Sequence, residues 1–244
     1  KYIYDPRGAF VIELKESKFS DKDNFLLKML KLIEKNLIEN SIKTIVTTER
    51  FKELFVNQYG LTDKLIVLYN TSSFNCKNID AELIKDRDIV NICYVGSVNY
   101  WHDLDEIIRV LSYTKNTVPQ KTKIYFFTNF KDMSLIKEKL EKNNILDYDI
   151  RFVPYEELEN KLKDMDICIS VVKPTISTKI ASPIKVSDYI MLNKRIIMNK
   201  DIGDFDDFFI ENNSVQLYEY GEKLDFTFED LFNLNIERND LIKD

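Results

Sequence analysis

The 244 residues include 35 Lys+Arg against 41 Asp+Glu, a formal charge of −6. That acidic balance, without any dense Lys/Arg run, argues against a nucleic-acid partner. With 44% hydrophobic and 31% charged residues and only 5 Gly and 5 Pro, the chain is neither fibrous nor disordered, and its length suits one large domain or two small ones.

The chain opens on a strand-like Lys1-Tyr2-Ile3. Helical periodicity then covers Asp23 to Asn40, with Phe25, Leu26, Met29, Leu30, Ile33 and Leu37 on one face. A strand at Thr44–Thr47 and a helix from about Glu49 to Tyr59, stopped by Gly60, come next. Leu65–Tyr69 reads as another strand. Residues 72–87 lose this regularity and are expected to form a linker.

A second series begins with Val90–Val95, an apolar run ending at Gly96. A helix at about Leu104–Thr114, a strand at Lys123–Phe127, a helix near Leu135–Lys142 and a strand at Ile150–Val153 follow. Then come a short helix at Glu156–Leu162, a strand at Ile167–Val172 and a last strand at Arg195–Met198. Beta-alpha alternation with continuous apolar strands predicts an α/β fold, a doubly wound, Rossmann-like parallel sheet covered by helices on both faces. Ligands of such sheets bind outside the carboxyl ends of the strands. The expected domains are 1–80, 81–205 and a helical tail at 206–244 that packs back on the body.

Cys76, Cys93 and Cys168 show neither C-x-x-C nor metal-ligand spacing, and His102 is the single histidine, so no metal site is expected. Cys93 and Cys168 sit in apolar strand-like runs and read as buried thiols. A reducing, cytoplasmic compartment follows. No run approaches the ~18 apolar residues of a membrane span, and no signal peptide is visible. Because the chain starts abruptly at Lys1, a longer natural protein is expected.

Ala181-Ser182-Pro183-Ile184-Lys185-Val186-Ser187-Asp188 reads as a loop opening a helix, with Ser182 as cap and Pro183 at its first position. Lys185 and Asp188 fall three apart on one face. A helix start with a cation beside a carboxylate suits a phosphorylated sugar: amides and ammonium for phosphate, carboxylate for hydroxyls. A surface helix with an ordinary ion pair fits these residues as well.

Gly96-Ser97 after the first strand of the second series lets the backbone turn close to a ligand and offers a hydroxyl and amide at the next helix's start; a plain tight turn is the alternative. His102 lies in the same mouth, where a neighbouring phosphate would raise its pKa. Val153-Pro154-Tyr155 ends a strand and opens a helix, and its exposed backbone suits the edge of a nucleobase. Asp5 and Arg7, closed by Gly8, form either a cleft pair, acid to hydroxyl and guanidinium to phosphate, or an ion pair that shapes the loop.

Taken in order, these segments resemble the group 1 glycosyltransferases, which have two Rossmann-like domains (the GT-B fold). Ile3-Tyr4-Asp5-Pro6-Arg7-Gly8 is similar to that family's hydrophobic-D-x-R-G loop. Leu32-Ile33-Glu34-Lys35 resembles the helix before its "iivvS" strand, and Leu68-Tyr69-Asn70-Thr71 its "viPNG" strand. Tyr94-Val95-Gly96-Ser97 with Tyr100-Trp101 resembles "yvGslnYWKG", and Val153-Pro154-Tyr155-Glu156-Glu157-Leu158 resembles "vPyeElp". Asp166-Ile167-Cys168-Ile169 and Ser182-Pro183-Ile184-Lys185 with Asp188-Tyr189 resemble "aDi.i" and "sPtKlfEYla". The likeness runs from about residue 3 to about 225.

The resemblance implies metal-independent, retaining-type transfer of a sugar from a nucleotide-diphosphate donor to an acceptor hydroxyl, with no cofactor. Surface polysaccharide or glycolipid synthesis is the expected setting. Gly96 and Ser97 would face the diphosphate with Lys185, Val153, Pro154 and Tyr155 would contact the base, and Asp188 stands where the family has its ribose-binding Glu. Asp5, Arg7 and His102 are the candidate catalytic residues. Expected partners are the nucleotide sugar and a glycan or lipid-linked acceptor, with peripheral contact at the inner face of the membrane through a missing front part, since the first region supplies roughly half of a ~150-residue Rossmann domain. Three departures stand out. Asp188 is one methylene short, Ile180 replaces the earlier Glu eight residues upstream, and His102 replaces the phosphate-binding Lys. A nucleotide-sugar-binding protein without turnover, or a sugar-nucleotide epimerase-like module, are the alternatives.

Overall fold

Long apolar runs separated by capped helices give strands buried on both faces. The computed structural model describes residues 1–18, 25–60, 63–74 and 88–236. In it β1 (Ile3–Tyr4), α1 (Phe10–Lys18), α2 (Phe25–Asn40), β2 (Lys43–Val46), α3 (Glu49–Tyr59) and β3 (Leu65–Val67) come first. Next are β4 (Ile89–Val95), α4 (Leu104–Thr117), β5 (Lys121–Phe127), α5 (Met133–Lys142), β6 (Tyr148–Arg151) and α6 (Tyr155–Lys163). Then follow β7 (Ile167–Ser170), α7 (Ile176–Lys179), α8 (Ile184–Met191), β8 (Arg195–Asn199), α9 (Asp206–Glu211), β9 (Gln216–Tyr218) and α10 (Phe228–Phe232).

The chain divides into two units. The first holds residues 1–70 together with 174–183 and 201–205; the second holds 71–173, 184–200 and 206–244. Unit 1 is thus completed by two short returns from the second half of the chain, which continuous sequence reading places elsewhere. Most of the expected linker, residues 75–87 with Cys76, lies outside the described residues.

Unit 1 has a parallel sheet in the order β1-β2-β3. Its core gathers Ile38, Val46, Phe51, Phe55, Leu65 and, from the return, Ile180. Thr48 caps α3 by accepting from the Phe51 amide at 3.0 Å, and its hydroxyl donates to the Ile180 carbonyl at 2.7 Å. One side chain therefore starts a helix and anchors the return. The apolar stripe of α2 is a departure from expectation. Of that face, Phe25, Leu26, Met29 and Ile33 are exposed and Leu30 and Leu37 half-buried, while Ile38 and Glu34 are buried. Tyr59 donates to Glu34, which lets a carboxyl sit among apolar groups.

Unit 2 is a six-stranded parallel sheet in the order β6-β5-β4-β7-β8-β9. The order reverses direction between β4 and β7, which is where open sheets of this kind leave a crevice. Val90, Ile92 and Tyr94 of β4 and Ile167 and Ile169 of β7 are fully buried, each aliphatic one contributing about 1.5–3 kcal/mol. Cys93 and Cys168 are in register on these neighbouring strands, buried, with their Sγ atoms 3.3 Å apart. Burial pushes the Cys93 thiol well up, as expected of an inert core thiol. The region beyond residue 206 differs from the expected helical tail. It adds β9 as the sixth strand, and Leu224, Phe226, Leu231, Leu234 and Ile236 join the main core. No helix among the described residues is long and apolar enough to cross a membrane.

Candidate functional site

β4 ends at Val95, and Gly96 turns the chain with φ 140°, a conformation that side chains other than glycine rarely adopt. A methyl group on Gly96 would lie 3.3 Å from the Tyr94 hydroxyl and 3.4 Å from Lys185 Nζ. The loop after β4 and the first turn of α8 therefore meet at the point where the strand order reverses. Lys185 is the decisive side chain here. Its Nζ is buried, has no hydrogen-bond acceptor among the described residues, and lies 4.8 Å from the centre of the Tyr94 ring. Burial alone draws its pKa down from 10.5 to about 8. An ammonium held this way lacks only an anion.

His102 belongs to the same cluster: its ring centre is 6.5 Å from that of Tyr94, and its Nδ1 is buried without a partner among the described residues. Its protonation without an anion is set by its surroundings. Burial first, and the Lys185 charge second, take its pKa down to about 3, so the imidazole is neutral. As a neutral ring it still offers one N–H donor.

The start of α4 also departs from expectation. Asp103 caps it, accepting from the amides of Asp105 at 3.0 Å and Glu106 at 3.3 Å. The carboxylate is fixed by the Tyr220 hydroxyl at 2.6 Å. With Asp105 and Glu106 in its first turn, this helix end already holds negative charge and repels a phosphate. Ser97 lies before that cap, its carbonyl 3.5 Å from the Tyr94 hydroxyl and its Oγ 3.5 Å from Asn99 Nδ2. The Gly96 amide donates to the Phe127 carbonyl at 3.0 Å, so what remains for an anion is the Ser97 backbone with Lys185.

Asp188, one turn along α8, is buried, and burial raises its pKa while the Ser72 hydroxyl opposes the rise. Val153 and Pro154 follow β6, and Tyr155 opens α6, half exposed. Next to them an aromatic pair that sequence reading missed, Phe130 and Phe152, stacks at 5.0 Å with both rings exposed. The two sit just past the ends of β5 and β6, a position that could have been read from the strands.

Asp5 and Arg7 belong to unit 1. They pair with each other, Nε to Oδ2 at 3.0 Å, and the Arg7 amide donates to Asp5 at 3.2 Å. The Arg7 side chain is 86% exposed, so the pair shapes the loop. Arg7 also lines a pocket of about 120 Å³ with Gly8, Glu13, Asn70, Ser177 and Ser182. Burial and the Glu16 charge raise the Glu13 pKa, a second group the sequence reading passed over. Ser182, expected to cap α8, instead accepts from the Asn70 amide at 3.2 Å.

No family description and no curated protein matches the sequence, whereas solved structures match its fold. Sucrose-phosphate synthase from Thermosynechococcus elongatus is 13% identical with a TM-score of 0.62, over 95% of this chain and 57% of that one. Anabaena HepE, solved in complex with UDP and glucose, is 13% identical with a TM-score of 0.63, over 90% and 58%. WaaG, a glycosyltransferase involved in lipopolysaccharide biosynthesis, is 11% identical with a TM-score of 0.62, over 95% and 64%. The chain thus spans less than two thirds of the proteins it matches. Its fold, parallel sheets flanked by helices in two Rossmann-like units, is that of the GT-B glycosyltransferases.

Proposed function

We propose that this chain is the donor-binding part of a glycosyltransferase that moves a sugar from a nucleotide diphosphate to an acceptor hydroxyl. The observation that carries the reading is the buried Lys185 ammonium, without an acceptor among the described residues, facing Gly96 at the crevice of the sheet. A diphosphate there would take the charge of Lys185, the Ser97 backbone donor, and an N–H from neutral His102, with Gly96 giving it close approach to the backbone. As the glycosidic bond breaks, charge grows on the leaving diphosphate, and these fixed donors meet it without a metal. Val153, Pro154 and Tyr155 then read the base, and Asp188 the ribose. The acceptor side, with Asp5, Arg7 and the Glu13 pocket, belongs to unit 1. Retaining transfer onto a surface polysaccharide or glycolipid completes this reading; for the setting, though not the stereochemistry, it draws on WaaG, a fold relative involved in lipopolysaccharide biosynthesis.

The test is a thermal-shift panel of nucleoside diphosphates, starting with UDP, which HepE holds in its structure. A ligand of the folded state raises stability by RT ln(1 + [L]/Kd). Asp188→Ala should weaken the responding nucleotide by about tenfold, near 1.4 kcal/mol. A panel without any response, or an unchanged variant, refutes the assignment.

One observation favours a second reading, a donor-binding protein without turnover. The position where the resemblance expects a Glu is Ile180, and its side chain belongs to the core of unit 1. Hydrolysis or transfer from a UDP-sugar by this chain would end that reading.

A further inference from the structure

The nucleoside end of unit 2 contains contacts that donor binding alone does not account for. Ser72 Oγ donates to Asp188 Oδ1 at 2.5 Å and accepts from the Phe74 amide at 3.0 Å. Beside it, Ser73 Oγ lies 2.9 Å from the Tyr155 hydroxyl. The Phe74 ring, 7% exposed, packs on that of Tyr155 with centres 5.6 Å apart and planes at 31°. Residues 72–74 thus reach both side chains assigned to the nucleoside.

The direction of the Ser72 proton is settled by these partners. The Phe74 N–H takes a lone pair of Oγ, so the hydroxyl hydrogen faces the carboxylate. Asp188 Oδ1 is the atom it binds, and no other side-chain partner of Asp188 occurs among the described residues. Oδ2 is therefore left for a ligand. A carboxylate on a short stem has to be aimed before it can take two hydroxyls, and a fixed donor on one oxygen aims the other.

We propose that Ser72 is a positioning residue, holding the Asp188 carboxylate so that its second oxygen meets the vicinal hydroxyls of the donor's ribose. The inference rests on the donor-binding reading above. Ser72 works through Asp188 and fixes which nucleosides the site accepts: those with an intact cis-diol.

Two influences act on the Asp188 carboxyl, burial raising its pKa and the Ser72 hydroxyl lowering it. The other charged or titratable groups nearby are turned elsewhere: Lys185 toward Gly96, and the Tyr155 hydroxyl toward Ser73. Without the Ser72 hydroxyl the carboxylate picks up its proton at a higher pH. Loss of ribose binding should then begin earlier as pH falls.

The experiment measures Kd for UDP and 2′,3′-dideoxy-UDP at pH 6 and pH 8, for wild type, Ser72→Ala and Ser72→Thr. Wild type should prefer UDP by about tenfold. Ser72→Ala should lose most of that preference, more at pH 6 than at pH 8, and Ser72→Thr should restore it. Comparing variants at each pH cancels the ionisation of the nucleotide's own phosphate. Should Ser72→Ala not fold, Ser72→Cys, a weak donor of similar size, is expected to show the same loss. A Ser72→Ala protein with the wild-type preference at both pH values overturns the positioning role alone. Wild type that binds both nucleotides equally overturns it by removing Asp188 from the ribose. Wild type that binds neither overturns this inference together with the donor reading.

Discussion

Replacing Lys185 by Met should make the ligand-free protein more stable and the donor site useless. Met keeps most of the apolar stem and removes the charge. Burial takes the ammonium from a pKa of 10.5 to about 8. At about 1.4 kcal/mol per unit, holding that charge in the folded state costs about 3 kcal/mol. The Tyr94 ring, 4.8 Å from Nζ, offsets about 1 kcal/mol of this. The net gain expected for Lys185→Met at pH 7 is therefore about 2 kcal/mol. The sign has a pH signature. Below pH 8 both folded and unfolded states keep the proton, and the penalty is full. Between pH 8 and 10.5 the unfolded state keeps it and the folded state does not, so wild-type stability rises with pH. The advantage of Met should accordingly shrink across that window and vanish above it. Urea unfolding, following the unit that contains the site and carried out with and without UDP, measures both halves. UDP should stabilise wild type and stabilise Lys185→Met far less, with affinity down at least tenfold, about 1.4 kcal/mol. A Met variant that is less stable at pH 7 and binds UDP as before would show that the ammonium is no anion site.

Gly96→Ala forces a side chain into a backbone at φ 140° and toward both Tyr94 and Lys185; UDP affinity measured by calorimetry should fall by at least tenfold while circular dichroism stays native. For His102, a bound phosphate raises a pKa of about 3 by about 1–3 units. The ring then stays neutral at pH 7, and the ratio of wild-type to His102→Asn affinities for UDP should be flat between pH 6.5 and 8. A ratio that falls as pH rises would mean that the imidazole carries a proton in the complex.

The second series of strands was legible because β4, β5, β7 and β8 are short apolar runs bounded by turn formers, and burial on both faces writes itself as continuous hydrophobicity. Three features were not. The stripe Phe25, Leu26, Met29, Leu30, Ile33 and Leu37 has the spacing of a core face, yet Phe25, Leu26, Met29 and Ile33 are exposed and only Leu30 and Leu37 half-buried, while Ile38 and Glu34 are buried. Periodicity identifies a face and says nothing of which neighbour covers it. Likewise β9 has only three residues, Gln216–Tyr218, and earns its place in the sheet through pairing with β8. Nothing local in a strand so short and partly polar separates it from a loop. Residues 174–183 were assigned by chain continuity, but Ile180 lies in the core of unit 1 and Thr48 holds its carbonyl.

For the site, the sequence offers three helix starts, the one at Lys185 foremost, and side-chain geometry separates them. At α4 the cap is itself an acid, so a helix end that looked ready for phosphate is already neutralised by Asp103. Before α8 the hydroxyl expected to cap is engaged with Asn70 instead. Lys185 gains its significance from a property no motif encodes: its ammonium is buried with no acceptor among the described residues. A lysine with the same spacing on an exposed α8 would be an ordinary surface charge. Because leaving such a charge unpaired costs more than removing it, its retention beside Gly96 is better explained by an anion that binds there than by the stability of the fold.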